Sequence, residues 1–299
     1  MSRRLAALNF VLRVAVKPRL ARTRGPEQAA REFERSAALF LRRPPYLRRL
    51  ERPRGLHWIS AGPCRVRKVI LYLHGGGYIT GSGLTHQGVM GRLSKLSGIE
   101  VCAPDYPLAQ DAPAPAAFDA ACAAWRHCRA LGYAPGDILL AGDSAGGGLA
   151  LALLARCCAS GEPPAAAVAF SPWTDLAMTG ASLRDNAKAD PFLPVGRMEE
   201  LVQIVLGDLP ADDPRISPLF ATFPGCPPVM IQYARTEILA DDARRMAERL
   251  RDAGGRVEIV VHPNAPHAWP VFDGWIPEAR HSLRQAARFL QDSLDDTNR

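Results

Sequence analysis

Two glycine-bearing stretches and a histidine–carboxylate pair hold the residue types that could do covalent chemistry. In Gly142-Asp143-Ser144-Ala145-Gly146 one hydroxyl is flanked by glycine two residues away on each side, between an apolar run, DILLAGD, and an Ala/Leu-rich run. A strand that turns sharply into a helix presents such a serine on a strained backbone. Its neighbours must lack bulk so that strand and helix can approach. Taken alone, the stretch reads equally well as a flexible turn. The second stretch, His74-Gly75-Gly76-Gly77, ends the apolar run KVILYLH. Three glycines after a strand let backbone N–H groups point into a cleft, as oxyanion stabilisation requires. The expected donors are Gly75, Gly76 and Ala145. A phosphate-binding loop is the competing reading, but no G-x-x-x-x-G-K-[ST] occurs and no G-x-G-x-x-G opens a helix here.

A serine hydroxyl becomes a nucleophile only beside an imidazole that a carboxylate orients. His262, His267 and His281 follow Ser144 in the chain. His281 falls in a helical pattern, PEARHSLRQAARFLQDSL, as a solvated residue, and His262 ends the strand-like run RVEIVVH in a structural role. His267, in NAPHAWP, lies in the loop after that last run and is the expected base. Glu237 is the first carboxylate beyond the run PVMIQYA and the best placed acid. Asp241 and Asp242 stand behind it, with the blander task of favouring the positive end of a helix dipole. Asp143 is expected to turn away from the cleft and bond loop backbone, and His74 to orient the glycine loop without exchanging a proton. Tyr78 is equally suited to line the pocket or to pack. His86 is expected near the cleft with no assigned role.

These residues need a frame. From about residue 66 short apolar runs alternate with helical patterns. The runs are 68–74, 99–105, 137–143, 165–171, 228–234 and 256–262, and the helical stretches include APAAFDAACAAWRHCRALG and DDARRMAERLRDAGG. Continuous apolar strands alternating with helices predict a parallel sheet covered on both faces. The long interval holding NAKADPFLPVGRMEELVQIVLGDLP exceeds a plain crossover. It is expected to be a helical excursion leaving the carboxyl ends of the strands, where open sheets bind ligands. Residues 1–43 carry two further helical patterns broken at RGPEQ, with Pro26 suited to a first helical turn.

The net charge of +7 is concentrated at one end: residues 1–54 hold 15 Lys+Arg against 4 Asp+Glu. No aromatics interleave with these basic residues, so no nucleic-acid partner is expected. Contact with an anionic membrane surface is open to such a segment, but packing within a cap is the preferred use of its apolar face. Seven cysteines without a C-x-x-C pair predict free, buried thiols in a reducing, cytoplasmic setting. Arg13 interrupts the N-terminal apolar stretch and no small-x-small site follows it, against a signal peptide. No run approaches the ~20 apolar residues of a membrane span.

HGGGY, GDSAGGG, RTEILADD and PHAW stand in the order and approximate spacing of the bacterial hormone-sensitive-lipase-like esterases, and the chain resembles that family over essentially its whole length. The resemblance implies an α/β-hydrolase fold: a mostly parallel central sheet with helices on both faces and a helical cap. It implies a cap of residues 1–45 and 175–210 on a catalytic core of 46–174 and 211–299. It also implies hydrolysis of short-acyl carboxylic esters without cofactor or metal, Ser144, Glu237 and His267 forming the triad. The acid-to-base interval of the family resembles that from Glu237 to His267. His74, Gly77, Gly142, Asp143 and Gly146 would support the two motifs. Dimers are common in the family, so a homodimer is compatible with it.

Three departures stand out. DYPLAQD replaces the D-Y-R-L-A-P-E frequent among relatives, with Pro107 for arginine and Gln110 for proline. The acid is glutamate where many relatives have aspartate. Between Arg54 and Arg67 there is room for only one or two short strands, so a trimmed first sheet edge is expected. An amidase or deacetylase with the same triad is the rival enzyme. A receptor on a hydrolase scaffold would normally lack a triad member, and a lipid-bound lipase would use the basic N-terminal helices.

Overall fold

Eight strands form one sheet in the computed structural model, which describes residues 1–52 and 55–297: β1 (Arg48–Arg52), β2 (Leu56–Ser60), β3 (Val69–Leu73), β4 (Glu100–Pro104), β5 (Ile138–Asp143), β6 (Ala166–Phe170), β7 (Val229–Ala234) and β8 (Val257–His262). Their spatial order is β1-β2-β4-β3-β5-β6-β7-β8. β2 runs antiparallel to both β1 and β4, and every other pairing is parallel. The six apolar runs predicted as strands are β3 to β8, each trimmed at one or both ends. Pro53, Arg54, Asn298 and Arg299, within the core spans drawn from the sequence, lie outside the described residues.

The first sheet edge is not trimmed. β1 and β2 make an antiparallel hairpin that completes eight strands, with Arg48 opposite Ser60 and Arg52 opposite Leu56. All five residues of β1 are exposed, so its pairing comes from main-chain hydrogen bonds and leaves no hydropathy signal.

The helices are α1 (Arg3–Val11), continued by a π-helical turn (Leu12–Val16) into α2 (Lys17–Ala21), α3 (Pro26–Phe40), α4 (Gln87–Ser97), α5 (Ala116–Ala130), α6 (Ala145–Ala159), α7 (Ser182–Asp185), α8 (Met198–Leu206), α9 (Ala240–Asp252) and α10 (Pro277–Thr297). β3 explains why its strand reads as an unbroken apolar run. Val69, Leu71 and Leu73 join the core under α5, α6 and α9, while Ile70 and Tyr72 join the core under α4 and α10. Successive side chains leave on opposite faces, and both faces are dry. Each such aliphatic burial contributes about 1.5–3 kcal/mol.

The excursion after β6 carries α7 and α8 and meets the N-terminal helices. The Lys17 ammonium donates to the carbonyls of Ala187 and Asp190 at 2.8 and 2.7 Å, and Arg13 to that of Ala189 at 2.9 Å. Arg197 answers from α8's side, donating to Ala21 and Thr23 carbonyls. α1 is held to the sheet domain by Ser2, whose hydroxyl accepts from Leu5 N and donates to Glu278.

Candidate active site

Ser144 stands between β5 and α6 with φ 54° and ψ −125°, a backbone state that costs a non-glycine residue about 1–3 kcal/mol. Its surroundings hold it there. Its N–H donates to the Phe170 carbonyl at 2.8 Å, and its carbonyl accepts from Trp173 N at 3.0 Å. A Cβ on Gly142 would overlap the Gly146 carbonyl, and one on Gly146 the carbonyls of Leu73 and His74. Strand and helix therefore meet only because both positions are glycine.

His267 follows β8. Its Nε2 lies 2.7 Å from Ser144 Oγ, and its Nδ1 lies 2.7 Å from Glu237 Oε2. Glu237, just past β7, is fully buried, and its Oε1 accepts from Ser171 Oγ at 2.8 Å and from Ala234 N at 2.6 Å. Burial raises the Glu237 carboxyl above its usual range, with partial relief from His267. Burial acts to lower His267, but the hydrogen bond and charge of Glu237, with the charges of Asp190 and Asp143, outweigh it and leave the imidazole more basic than usual. A hydroxyl, an imidazole and a carboxylate in this line can pass a proton from oxygen to nitrogen and stabilise the resulting imidazolium.

A family model for the alpha/beta hydrolase fold matches residues 70–271. An esterase of Acinetobacter venetianus is 36% identical over 230 residues, 76% of either chain. An acetyl-hydrolase of Streptomyces hygroscopicus is 36% identical over 77% of each. The crystal structure of an esterase from the bacterial hormone-sensitive lipase family superposes with a TM-score of 0.91 at 34% identity, covering 98% of this chain and 99% of that one. The chain belongs to the hormone-sensitive-lipase-like esterases of the α/β-hydrolase fold.

In this esterase the glycine loop departs from expectation at one donor. Gly75 N–H is not free: it donates to Asp143 Oδ1 at 3.1 Å, inside the protein. The expected donor set of Gly75, Gly76 and Ala145 therefore loses its first member. The amide that follows Gly76 along the loop is that of Gly77. Gly76 holds φ 124°, where a Cβ would also overlap the Thr80 carbonyl, so only glycine can shape the loop there. Asp143 does turn from the cleft. Its Oδ1 also accepts from Tyr72 OH at 2.8 Å, and its Oδ2 lies 3.5 Å from His86 Nε2. Burial works against the Asp143 anion, but His86, Tyr72 and His74 outweigh it and hold the carboxyl below its usual range.

His74 Nδ1 donates to the Gly75 carbonyl at 2.9 Å, and its ring stacks on Tyr106 at 4.1 Å. Burial, then the neighbouring His86, lowers it to about 4, so it stays neutral and orients the loop. Tyr78 is buried beside Trp173 and Tyr106. The altered DYPLAQD stretch still serves the loop: Gln110 Nε2 donates to the Ile79 carbonyl at 3.1 Å, and Ala109 N to that of Tyr78 at 2.8 Å. Asp105 of the same stretch accepts from Gly83 N at 2.6 Å and bonds His57 Nε2 at 2.7 Å. Nothing in the structure explains Pro107.

The remaining candidates are elsewhere. His281 is exposed, and His262 accepts from Asn264 N at 3.2 Å while its ring lies 5.7 Å from Trp269. Asp241 and Asp242 tie the excursion to α9: Asp242 Oδ2 accepts from Thr174 N and Asp175 N, and Asp241 Oδ2 from Ser182 N.

Three residues escaped the sequence reading. Ser171 bridges Glu237 to the His267 loop, since its Oγ also accepts from Ala268 N at 3.0 Å. Asp190 is fully buried; Oδ1 accepts from Phe192 N and Leu193 N, and Oδ2 from Ile238 N at 3.0 Å. Asn186 donates to the carbonyls of Arg235 and Glu237. Ser171 is the last residue of the predicted run 165–171 and follows β6 directly, at the carboxyl end of a strand, which is a usable signal. Ile238, which ties Asp190 to the acid's loop, and Arg235 and Glu237, which Asn186 bonds, are remote in sequence from these two residues, so neither gave a signal.

The excursion roofs the site. A Cβ on Gly77 would lie 3.1 Å from Leu201 Cδ2, and the Phe192 ring is 6.5 Å from that of His267. Among the described residues no cluster of three or more His, Cys, Asp or Glu side chains is arranged to hold a metal ion.

Proposed function

We propose that this carboxylesterase cleaves short-acyl esters through an acyl-enzyme on Ser144. His267 Nε2 takes the Ser144 proton as Oγ attacks the ester carbonyl, and Glu237 keeps Nδ1 protonated and stabilises the imidazolium. The oxyanion is met by the amides of Gly76, Gly77 and Ala145, since the Gly75 amide is held by Asp143. His267 then protonates the departing alcohol, and water releases the acid by the reverse route. The observation that carries this reading is the Ser144–His267–Glu237 line, with 2.7 Å at both links.

Leu201 and Phe192, close above the glycine loop and the imidazole, support a short acyl chain. Residues 1–45 and 175–210 act together as the cap, a division supported by the hydrogen bonds from Arg13, Lys17 and Arg197. The seven cysteines are all unpaired and five of them buried, which supports a reducing, cytoplasmic setting. A series of nitrophenyl esters of increasing acyl length, run beside a matched anilide, tests the assignment. The expected result is a maximum at short chains and negligible anilide turnover. Faster cleavage of the anilide would replace the reading with an amidase.

A further inference from the structure

The face that α1 and its π-helical continuation turn to solvent is apolar. Phe10, Val11 and Val14 are 66%, 50% and 54% exposed, and Ala6, Ala7 and Ala15 beside them are exposed as well. The opposite face already does the packing, through buried Leu5 and Leu12. The outward stripe is therefore surplus to what docks the helix on the rest of the molecule. Arginines border it: Arg3, Arg4, Arg13, Arg19 and Arg22 are exposed. Residues 1–26 hold seven Lys+Arg and no Asp or Glu. Among the described residues only Arg19 of these seven forms an ion pair, with Glu32 of α3.

We propose that this face docks on an anionic phospholipid surface. The charge pattern selects that partner. Lipid phosphates would meet the arginine border while Phe10, Val11 and Val14 enter the boundary between headgroups and acyl chains, so both components of interfacial binding act together. A second copy of the chain fits less well. A two-fold contact through this stripe sets one arginine border against its equal, with no acid in the segment to relieve the repulsion. No described helix is long and apolar enough to cross a bilayer, so the contact is one of lying on the surface. The same segment holds the Ala187–Asp190 loop through Arg13 and Lys17, and that loop leads to Phe192 beside His267. Docking would thus bring the cap's side of the molecule to the lipid.

Binding is read by co-sedimentation with vesicles, independently of whether Ser144 is the nucleophile. Vesicles of phosphatidylcholine containing phosphatidylglycerol are expected to carry down at least about fivefold more protein than phosphatidylcholine alone, and added salt to lower that excess. The doubles Phe10→Ser/Val14→Ser and Arg3→Gln/Arg4→Gln should each lose most of the bound fraction while hydrolysing a water-soluble ester at the parent rate. The arginine pair touches no packed side, so it serves even if the apolar pair folds poorly. Equal sedimentation with both vesicle types, or both doubles binding like the parent, overturns the proposal. So does a parent dimer in sedimentation velocity that Phe10→Ser/Val14→Ser converts to monomer, which would assign the face to a second copy.

Discussion

Asp143 and Gly75 are joined by a 3.1 Å hydrogen bond, so the residue before Ser144 holds the first amide of the glycine loop. One carboxylate thereby ties the turn that carries Ser144 to the glycine loop. Asp143→Ala would leave Tyr72 OH and Gly75 N–H buried without this acceptor. We expect a loss of about 2–4 kcal/mol in urea unfolding, together with a fall in kcat. Tyr72→Phe removes one donor only, and should cost about 1 kcal/mol with kcat nearly unchanged. Parent stability in Asp143→Ala would show that the bond holds nothing.

Ser144→Ala should lower kcat at least about 10⁴-fold on a nitrophenyl ester, with the unfolding midpoint little changed. A substantial residual rate in the purified variant would mean that another group attacks the carbonyl.

Glu237→Gln keeps the shape of the acid but not its charge. We expect kcat to fall by about 10⁴-fold, because Nδ1 of His267 loses the anion that keeps it protonated. Ser171→Ala, which leaves the charge and removes one bond to Oε1, should cost far less. Equal losses in the two variants would argue that packing, not charge, is what Glu237 supplies.

The proposed mechanism needs His267 neutral, and its surroundings hold the imidazole above its ordinary value of 6.5. kcat/KM should therefore fall as pH drops through a point above 6.5. Asp190 contributes to that elevation by its charge, so Asp190→Asn should move the acid limb to lower pH. A pH profile of kcat/KM for parent and variant checks the sign. An acid limb that stays put would leave Asp190 a purely structural tie.

Leu201 reaches over Gly77 from α8. Leu201→Ala should raise kcat/KM for an eight-carbon acyl ester relative to a four-carbon one, by about tenfold or less. An unchanged ratio would place the acyl chain elsewhere.

Much of this architecture was legible in the chain. β3 to β7 announced themselves because both faces of each are covered, which turns a strand into a continuous apolar run; β8, at the sheet edge and with no buried residue, is legible only from its own Val257, Ile259, Val260 and Val261. β1 could not, since RRLER is exposed throughout and its order comes from the neighbouring backbone. The same division holds at the site. Ser144, Glu237 and His267 are recognisable because each follows a strand end in chain order, and the structure brings them into one line. Which glycine amide is free was not recognisable. That depends on the direction of the Asp143 side chain, and Gly75 and Gly76 are equivalent as letters. Asp190 was hidden for another reason: beyond the nearby amides of Phe192 and Leu193, the groups that tie it to the rest of the site, Ile238 N and the Lys17 ammonium that bonds its carbonyl, lie on segments remote in sequence.

Reaction with diethyl nitrophenyl phosphate tests the central claim most directly. If Ser144 is the activated nucleophile, one diethylphosphoryl group per chain should be found on Ser144 by peptide mass spectrometry. Its appearance should match the loss of esterase activity, and His267→Ala should slow labelling by orders of magnitude. Inactivation with the label on another residue, or full labelling without His267, would contradict the account.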